Sequence, residues 1–299
     1  MNVLAIDIGG TTIKSDVYSK GQSLNFFKEI PTNVDLNAQT NGIMKQVEEL
    51  IEDTINSLNE LEQPLDGVSI ATAGVVDTSQ GKVIYAGYTI PNYSQTDFKT
   101  MIQDHFDLPC IVLNDVNSAT YAEYKSNKDY VDQTLVCLTL GTGIGSGIVV
   151  NGQLLIGSAF TAGEIGYMPI NGEKYQDIAS TTALVKDYQK VTDNLKADGK
   201  ILFEAYKQGD ELSKQVVTQW IDRVVEGLLP MIYILNPGII ALGGGIMAQH
   251  EILLPQIKDR LKRRLESSTF MPSIVKEMNV GNEAGRLGAY YYFLDYVNP

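Results

Sequence analysis

The chain has 299 residues, of which 44% are hydrophobic and 20% are charged. This composition is typical of a folded globular protein, and the length suits two domains or one large α/β unit rather than a small disulfide-stapled fold. Acidic residues outnumber basic ones by 36 to 23, a net charge of -13. Because nucleic-acid binding needs a basic surface that neutralises phosphates, the charge argues against a DNA or RNA partner and favours small ligands.

The apolar segments predict a cytoplasmic protein without a membrane partner. Asp7 interrupts the first apolar run and no basic segment precedes it, so no signal peptide is predicted. The longest apolar stretch, 228–242, contains two prolines and an asparagine and is too short to span a bilayer. Cys110 and Cys137 stand among aliphatic residues, which predicts buried free thiols.

Hydrophobic periodicity predicts strands that alternate with helices along the chain. In the first half we predict strands at 3–8, 12–18, 23–30, 66–71 and 111–113, and helices at 43–58 and 116–125. In the second half we predict strands at 135–140, 145–150, 153–155 and 238–242, and helices at 179–190, 199–207 and 210–235. The order strand, glycine turn, strand, hairpin and strand occurs in both halves. This repetition predicts two related α/β halves with a cleft between them.

The first candidate site follows the first strand. Asp7 stands near the strand end, and glycines, threonines and a lysine come next, namely Gly9, Gly10, Thr11, Thr12 and Lys14. Glycines let the backbone approach an anion closely, and amides and hydroxyls donate to phosphate oxygens. Asp7 is suited to a hydrated Mg²⁺ that bridges such phosphates. An ordinary hairpin turn is the competing interpretation.

Two further glycine clusters occur in the second half. Gly141, Thr142 and Gly143 stand where the first cluster stands in its half, and a hairpin follows them, so they are neither a dinucleotide fingerprint nor a Walker loop. Two such loops suggest a pincer on a polyphosphate. Gly243 and Gly244 follow an apolar strand and suggest a flat slot for adenine, although a close-packed strand–helix turn is equally ordinary.

Asn114 and Asp115 follow a short strand and precede a helix. Asp115 is a good candidate for the helix N-cap. It also stands at the carboxyl end of a strand, where α/β sheets place ligand-handling residues, and a carboxylate there can accept the proton of an attacking hydroxyl. Both interpretations remain open at this point.

The motifs occur in one order along the chain: Asp-Ile-Gly-Gly-Thr at 7–11, Gly-Val-Val-Asp at 74–77, Asn-Asp at 114–115, Gly-Thr-Gly-Ile-Gly-Ser-Gly at 141–147, Gly-Glu-Ile-Gly at 163–166 and Gly-Gly-Gly at 243–245. This ordered set resembles the ROK family of repressors, open reading frames and sugar kinases. The resemblance implies an α/β fold of two actin-like (ribonuclease H-like) lobes with a central cleft, each a mixed sheet flanked by helices. It suggests lobes of 1–115 plus 284–299 and of 116–283, with Gly285–Ala289 in a late connecting helix.

The resemblance also implies roles for single residues. The clusters at Asp7 and Gly141 resemble the two phosphate loops for ATP and Mg²⁺, and Gly243 and Gly244 resemble the adenosine loop. Asp115 matches the catalytic base. The positions that match or border the sugar pocket are Gly74, Asn92, Asn114 and Glu164.

Two features depart from the family pattern. Tyr167 replaces a histidine, and no cysteine follows it, so we predict no structural zinc. The following loop is short, and either Gln176 or Asp177 corresponds to the family's last sugar-binding glutamate. A shorter loop predicts a pocket that is more open at C1 of the sugar.

These features predict an ATP-dependent kinase for the 6-hydroxyl of a glucose unit, with a β-glucoside such as cellobiose favoured and free glucose next. The alternatives are an N-acetylmannosamine kinase, a non-catalytic sugar-binding regulator and, least favoured, a sugar-responsive repressor. A repressor of this family carries an extra N-terminal DNA reader, whereas the first phosphate loop here begins at Asp7. The family resemblance suggests a homodimer.

Overall fold

The computed structural model describes residues 1–34, 42–87 and 90–297. Within these ranges the strands are Asn2–Ile8 (β1), Thr12–Ser19 (β2), Gln22–Ser23 (β3), Lys28–Pro31 (β4), Gly67–Thr72 (β5), Val75–Asp77 (β6), Lys82–Tyr85 (β7), Cys110–Asn114 (β8), Leu135–Leu140 (β9), Ile144–Val150 (β10), Gln153–Leu154 (β11), Pro169–Ile170 (β12), Glu173–Lys174 (β13), Ile239–Gly243 (β14) and Ile274–Glu277 (β15). The α-helices are Ile43–Asn59 (α1), Phe98–Phe106 (α2), Asp115–Lys125 (α3), Tyr175–Ala179 (α4), Thr181–Thr192 (α5), Gly199–Lys207 (α6), Glu211–Leu235 (α7), His250–Arg264 (α8) and Ala284–Val297 (α9).

The chain divides into two compact units. The first consists of Met1–Lys128, Ile156–Ala162 and Val280–Pro299, and the second of Asp129–Leu155 and Gly163–Asn279. This division differs from the lobe boundaries at 115 and 284 that we expected. Helix α3 belongs to the first unit because it packs closely against α9.

The first unit is built on a mixed sheet with the strand order β3-β2-β1-β5-β8, and β4 also pairs with β2. Strands β1 and β2 form an antiparallel hairpin, whereas β1, β5 and β8 run parallel to one another. Helix α1 places one apolar face on this sheet, with Ile43, Val47 and Ile51 fully buried. The parallel strands therefore carry their carboxyl ends to one edge of the sheet.

The second unit repeats this plan with the strand order β11-β10-β9-β14-β15. Strands β9 and β10 form the antiparallel hairpin, and β9, β14 and β15 are parallel. The core packs around α7, in which Trp220 is fully buried and its indole N–H donates to the carbonyl oxygens of Ala179 and Ser180. The predicted α/β class and the repeated strand order are confirmed.

Two predicted elements differ from the structure. The strand at 23–30 is two short strands, because Asn25 between them has a left-handed φ of 63° that a strand cannot continue. The helix predicted at 179–190 begins at Thr181, because Ser180 is extended and caps α5 by accepting from Ala183 N. The short helix α4, which ends at Ala179, was not predicted. Strand β15 was not predicted. Both cysteines are buried and free, as predicted.

No helix in the part of the chain that the structure describes has the length and apolar character needed to cross a bilayer.

The contact between α3 and α9 depends on a glycine. A Cβ added at Gly288 would lie 1.7 Å from the carbonyl oxygen of Ser118, so the two helix backbones meet without an intervening side chain. We expect Gly288→Ala to reduce the free energy of unfolding by roughly 1–3 kcal/mol, because the backbones must separate. Urea unfolding measures this loss.

Gly199→Ala is the control, since a Cβ at Gly199 would have its nearest neighbour 4.0 Å away. If both variants unfold at the same urea concentration, the close helix packing is wrong.

Candidate active site

The parallel strands of the first unit bring several of the predicted residues to one edge. Ile8 is paired with Thr72, and Thr72 with Asn114, so β1, β5 and β8 end side by side. The segments that follow these strand ends begin with the first glycine cluster after β1, the loop with Gly74 after β5 and Asp115 at the start of α3 after β8. The sheet therefore brings together residues that are about a hundred positions apart.

The first glycine cluster forms the turn of the β1–β2 hairpin. Gly9 N donates to Thr12 O at 3.0 Å, and Thr32 Oγ1 donates to Gly9 O at 2.7 Å. Gly10 and Thr11 are exposed at the tip of the turn. Lys14 lies 3.8 Å from Glu29 in an ion pair. Hydrogen bonds thus hold the turn at Gly9 and leave its tip exposed, an arrangement that suits contact with an anion.

Asp7 lies beneath this turn. Burial raises the pKa of the Asp7 carboxyl, and the positive charges of Arg286 and Lys14 oppose that rise. A Cβ added at Gly285 would lie 2.7 Å from Asp7 Oδ2, so the start of α9 approaches the carboxylate closely.

Asp7 fits a magnesium ion that is held by one carboxylate, phosphate oxygens and water. Among the described residues, no group of three or more His, Cys, Asp or Glu side chains is arranged to hold a metal ion. Mg²⁺ usually takes only one or two carboxylates beside substrate phosphates, so a magnesium site at Asp7 is compatible with this finding and stays a prediction.

The structure excludes one of the two interpretations of Asp115, and the role of catalytic base stays a prediction. The N-cap of α3 is Asn114, whose Oδ1 accepts from Val116 N at 2.9 Å and from Asn117 N at 3.0 Å. The N-cap assignment to Asp115 is therefore wrong. Asp115 Oδ1 accepts from Asn114 Nδ2 at 3.0 Å and from Val116 N at 2.9 Å, which orients the carboxylate.

Asn114 has several partners within the protein. Its Nδ2 also donates to Gly74 O at 2.9 Å, so the amide links the cap of α3, the Asp115 carboxylate and the loop after β5. Gly74 has a φ of 101°, and a Cβ there would lie 2.6 Å from Tyr85 O. These contacts show a positioning role, and a contact of Asn114 with sugar stays a prediction.

Thr72 and Tyr93 also belong to this edge, although the sequence did not indicate them. The Tyr93 hydroxyl and Thr72 Oγ1 are 2.6 Å apart and both side chains are buried. Burial raises the pKa of Tyr93, and the negative charge of Asp115 contributes to the rise. Asn92, which precedes Tyr93 in the chain, has a left-handed φ of 54°.

The second cluster lies at the corresponding edge of the second unit. Thr139 is paired with Gly243, so the turn after β9 and the loop after β14 are neighbours. Gly244 has a φ of 95°, and a Cβ there would lie 2.2 Å from Leu140 O, while a Cβ at Gly243 would lie 2.5 Å from Met278 Sδ. Packing therefore requires Gly244, whose neighbour is backbone, whereas the neighbour of Gly243 is a flexible methionine side chain. By contrast, a Cβ at Gly141 or Gly245 would meet no atom within 4 Å.

Two cavities adjoin this cluster. One of about 290 Å³ is lined by Thr139, Gly141, Thr142, Gly143, Ile144, Gly145, Gln176 and Gly244. The other, of about 470 Å³, is lined by Leu140, Gly141, Thr142, Thr181, Thr182, Val185, Lys186, Gln189, Gly245 and Ile246. The residues from α5 were not predicted. Thr181 attaches α5 to the turn, since its N donates to Gly141 O at 2.9 Å and its Oγ1 to Leu140 O at 3.0 Å.

Gln176 lies against the turn. Its Oε1 would be 3.0 Å from a Cβ at Gly143 and 3.1 Å from one at Gly166. Gln176, and not its neighbour Asp177, lines the smaller cavity. Gln176 therefore adjoins the turn and Asp177 does not line the cavity, while a contact of either residue with sugar stays a prediction.

Glu164 precedes a short 3₁₀ turn, Ile165–Tyr167, and Tyr167 is the last residue of that turn. Desolvation raises the pKa of the Glu164 carboxyl. Gly163, just before it, accepts from Ser146 Oγ at 2.7 Å and has a φ of 89°. Tyr167 is exposed, and Lys174 Nζ lies 5.7 Å from the centre of its ring. The structure thus leaves Tyr167 accessible at the position of the family histidine.

Comparison with known families decides the relationship. The model of the ROK family matches residues 3–295. The chain belongs to the ROK family. The predicted resemblance is therefore confirmed over nearly the whole chain.

Several relatives of this ROK chain are named as sugar kinases. A β-glucoside kinase of Listeria monocytogenes is 30% identical, with 100% of this chain and 99% of that protein covered. A glucokinase of Streptomyces coelicolor is 25% identical, with 96% and 95% covered. A solved structure from L. monocytogenes, described as a proposed N-acetylmannosamine kinase, is 28% identical with a TM-score of 0.80, and both chains are covered completely. The family and the relatives agree with the prediction of a ROK carbohydrate kinase, and the exact sugar is not settled by them.

Proposed function

We propose that this ROK protein is an ATP-dependent kinase that phosphorylates the 6-hydroxyl of a glucose unit, with a β-glucoside such as cellobiose as the favoured acceptor. The observation that carries the proposal is that Asn114, and not Asp115, caps helix α3, so that the Asp115 carboxylate has no capping role. Asn114 caps the helix, and Asp115 is oriented at the sheet edge that also carries Asp7 and the first glycine turn. A capping role does not explain this aspartate, whereas proton transfer from a hydroxyl does.

In the proposed reaction the sugar oxygen attacks the γ-phosphorus of ATP. A bond forms between that oxygen and phosphorus, the bond to the bridging oxygen of the β-phosphate breaks, and ADP leaves. Asp115 accepts the proton of the sugar hydroxyl. The backbone of the two glycine turns binds phosphate oxygens, and Asp7 would hold Mg²⁺, which neutralises phosphate charge when bound.

The remaining residues are assigned to binding. Asn92, Glu164, Tyr167 and Gln176 are proposed to contact the sugar, with Gly74 and Asn114 positioning the pocket. The cavity beside Gly141, Gly245 and α5 is proposed to take adenosine, because its volume of about 470 Å³ lies in the range of small-ligand sites.

The sugar assignment rests on the pocket and on the relatives. Tyr167 is exposed and the segment from Tyr167 to Gln176 is short, which suits an acceptor with a substituent at C1. The β-glucoside kinase relative supports the same choice. Free glucose is next, and the solved Listeria structure favours N-acetylmannosamine as the second candidate.

A substrate panel tests these assignments. With ATP and Mg²⁺, we expect ADP release to be fastest with cellobiose and slower with glucose, measured by a coupled assay. Turnover of N-acetylmannosamine alone would overturn the acceptor. Sugar binding without any sugar-dependent ADP release would show the non-catalytic alternative instead.

A homodimer, a cytoplasmic location and the absence of structural zinc remain proposals that follow from the family resemblance and the sequence.

A further inference from the structure

The cavity of about 470 Å³ in the second unit is lined in part by Gln189, whose side-chain amide is held by two hydrogen bonds within the protein. Gln189 lies on α5, two turns after the start of the helix, and lines this cavity. Its Nε2 donates to Leu195 O at 3.2 Å and to Ala197 O at 2.7 Å. An amide nitrogen carries two hydrogens, so both are used.

These two bonds determine the orientation of the carboxamide. Because both partners are carbonyl oxygens, the nitrogen and not the oxygen must face them. The polar atom of Gln189 that remains for a ligand is therefore Oε1, which can only accept a hydrogen bond. The segment 195–197 thus fixes the carboxamide nitrogen and leaves the oxygen as the acceptor that Gln189 can offer to a ligand in the cavity that it lines.

We infer that Gln189 selects the base of the phosphate donor, adenine over guanine. Adenine carries an amino group, a donor, on the ring carbon where guanine carries a carbonyl, an acceptor. Oε1 can accept a hydrogen bond from the adenine amine. The guanine carbonyl is itself an acceptor, so it would face Oε1 without a hydrogen bond, which lowers the affinity for guanine nucleotides. This inference rests on the proposed function, because it places the nucleotide base in this cavity.

Lys186 lines the same cavity one turn earlier on α5. It is an exposed cation on a flexible chain, so contact with the guanine carbonyl would require its side chain to be ordered. Gln189 is already held by two hydrogen bonds. The base selectivity should therefore follow position 189 and not position 186.

Calorimetric titration of the full chain with ADP, GDP and IDP tests this inference without any sugar. We expect ADP to bind roughly 10- to 100-fold more tightly than GDP, with IDP close to GDP because it has the same carbonyl. Gln189→Met removes the acceptor at similar size and should bring the ADP to GDP ratio near one.

Gln189→Glu separates base selection from a structural role. It keeps an acceptor but cannot donate to Leu195 and Ala197, so it loses the same loop contacts as Gln189→Met. We expect it to retain a preference for ADP. Gln103→Met, at an exposed position on α2, controls for the general effect of the substitution and should leave the ratio unchanged.

The outcomes distinguish the two proposals. No binding of any nucleotide would overturn the proposed kinase, and the base selection with it. Equal binding of ADP and GDP by the unaltered chain, IDP binding as tight as ADP, or equal ratios in both Gln189 variants would overturn base selection alone.

Discussion

Replacement of Asp115 by Asn is expected to reduce kcat for sugar phosphorylation by roughly 10²- to 10⁴-fold, because the variant removes the group that accepts the hydroxyl proton. The start of α3 should not change, since Asn114 supplies the cap to Val116 and Asn117. The KM for ATP should also stay within about threefold, because Asp115 is not part of either glycine turn. Coupled kinetics with saturating sugar and ATP measure both values.

Asp104→Asn is the matched control, because Asp104 is an exposed aspartate on α2 in the same unit. It removes the same charge and should retain full activity. Thermal unfolding of both variants should give Tm values close to that of the unaltered chain. An Asp115→Asn variant with near-normal kcat would contradict the assignment of the base.

Gly141→Ala is expected to raise the KM for ATP by roughly 10- to 100-fold without a loss of stability. A Cβ at Gly141 would meet no protein atom within 4 Å, so the folded chain has room for it. The same methyl would enter the wall shared by both cavities of the second unit. There the methyl group would push the phosphates of ATP away from the turn. A displacement by the size of a methyl group is enough to weaken phosphate binding and to lower activity.

Two other glycines distinguish a ligand effect from a folding effect. Gly281→Ala also places a methyl in open space, but outside both cavities, and should change neither Tm nor the KM for ATP. Gly244→Ala should reduce Tm, because its Cβ would overlap Leu140 O. A Gly141→Ala enzyme that binds ATP normally would show that the turn does not contact phosphate.

The sequence determined the fold class because its signals are local. Strand runs, the glycine turns after β1 and β9 and the repeated order of elements each depend on neighbouring residues only. The order of the motifs also identified the family, which the match over 3–295 confirms. The predicted bounds of two elements, the strand at 23–30 and the helix at 179–190, were wrong because single residues interrupt otherwise regular patterns. Asn25 has a left-handed φ, and Ser180 is extended.

Tertiary structure decided the contacts of residues that neighbouring sequence does not determine. The sequence offered Asp115 as the cap of α3, whereas Asn114 supplies the cap and its amide also donates to Gly74 O in the distant loop after β5. Sheet register decided which glycines pack and which border a cavity, because Leu140 and Gly244 approach each other across paired strands. The position of Gln189 depends on the return of residues 195–197 against α5. Contacts between distant segments arise only when the sheet and helices assemble, so no pattern along the chain contains them.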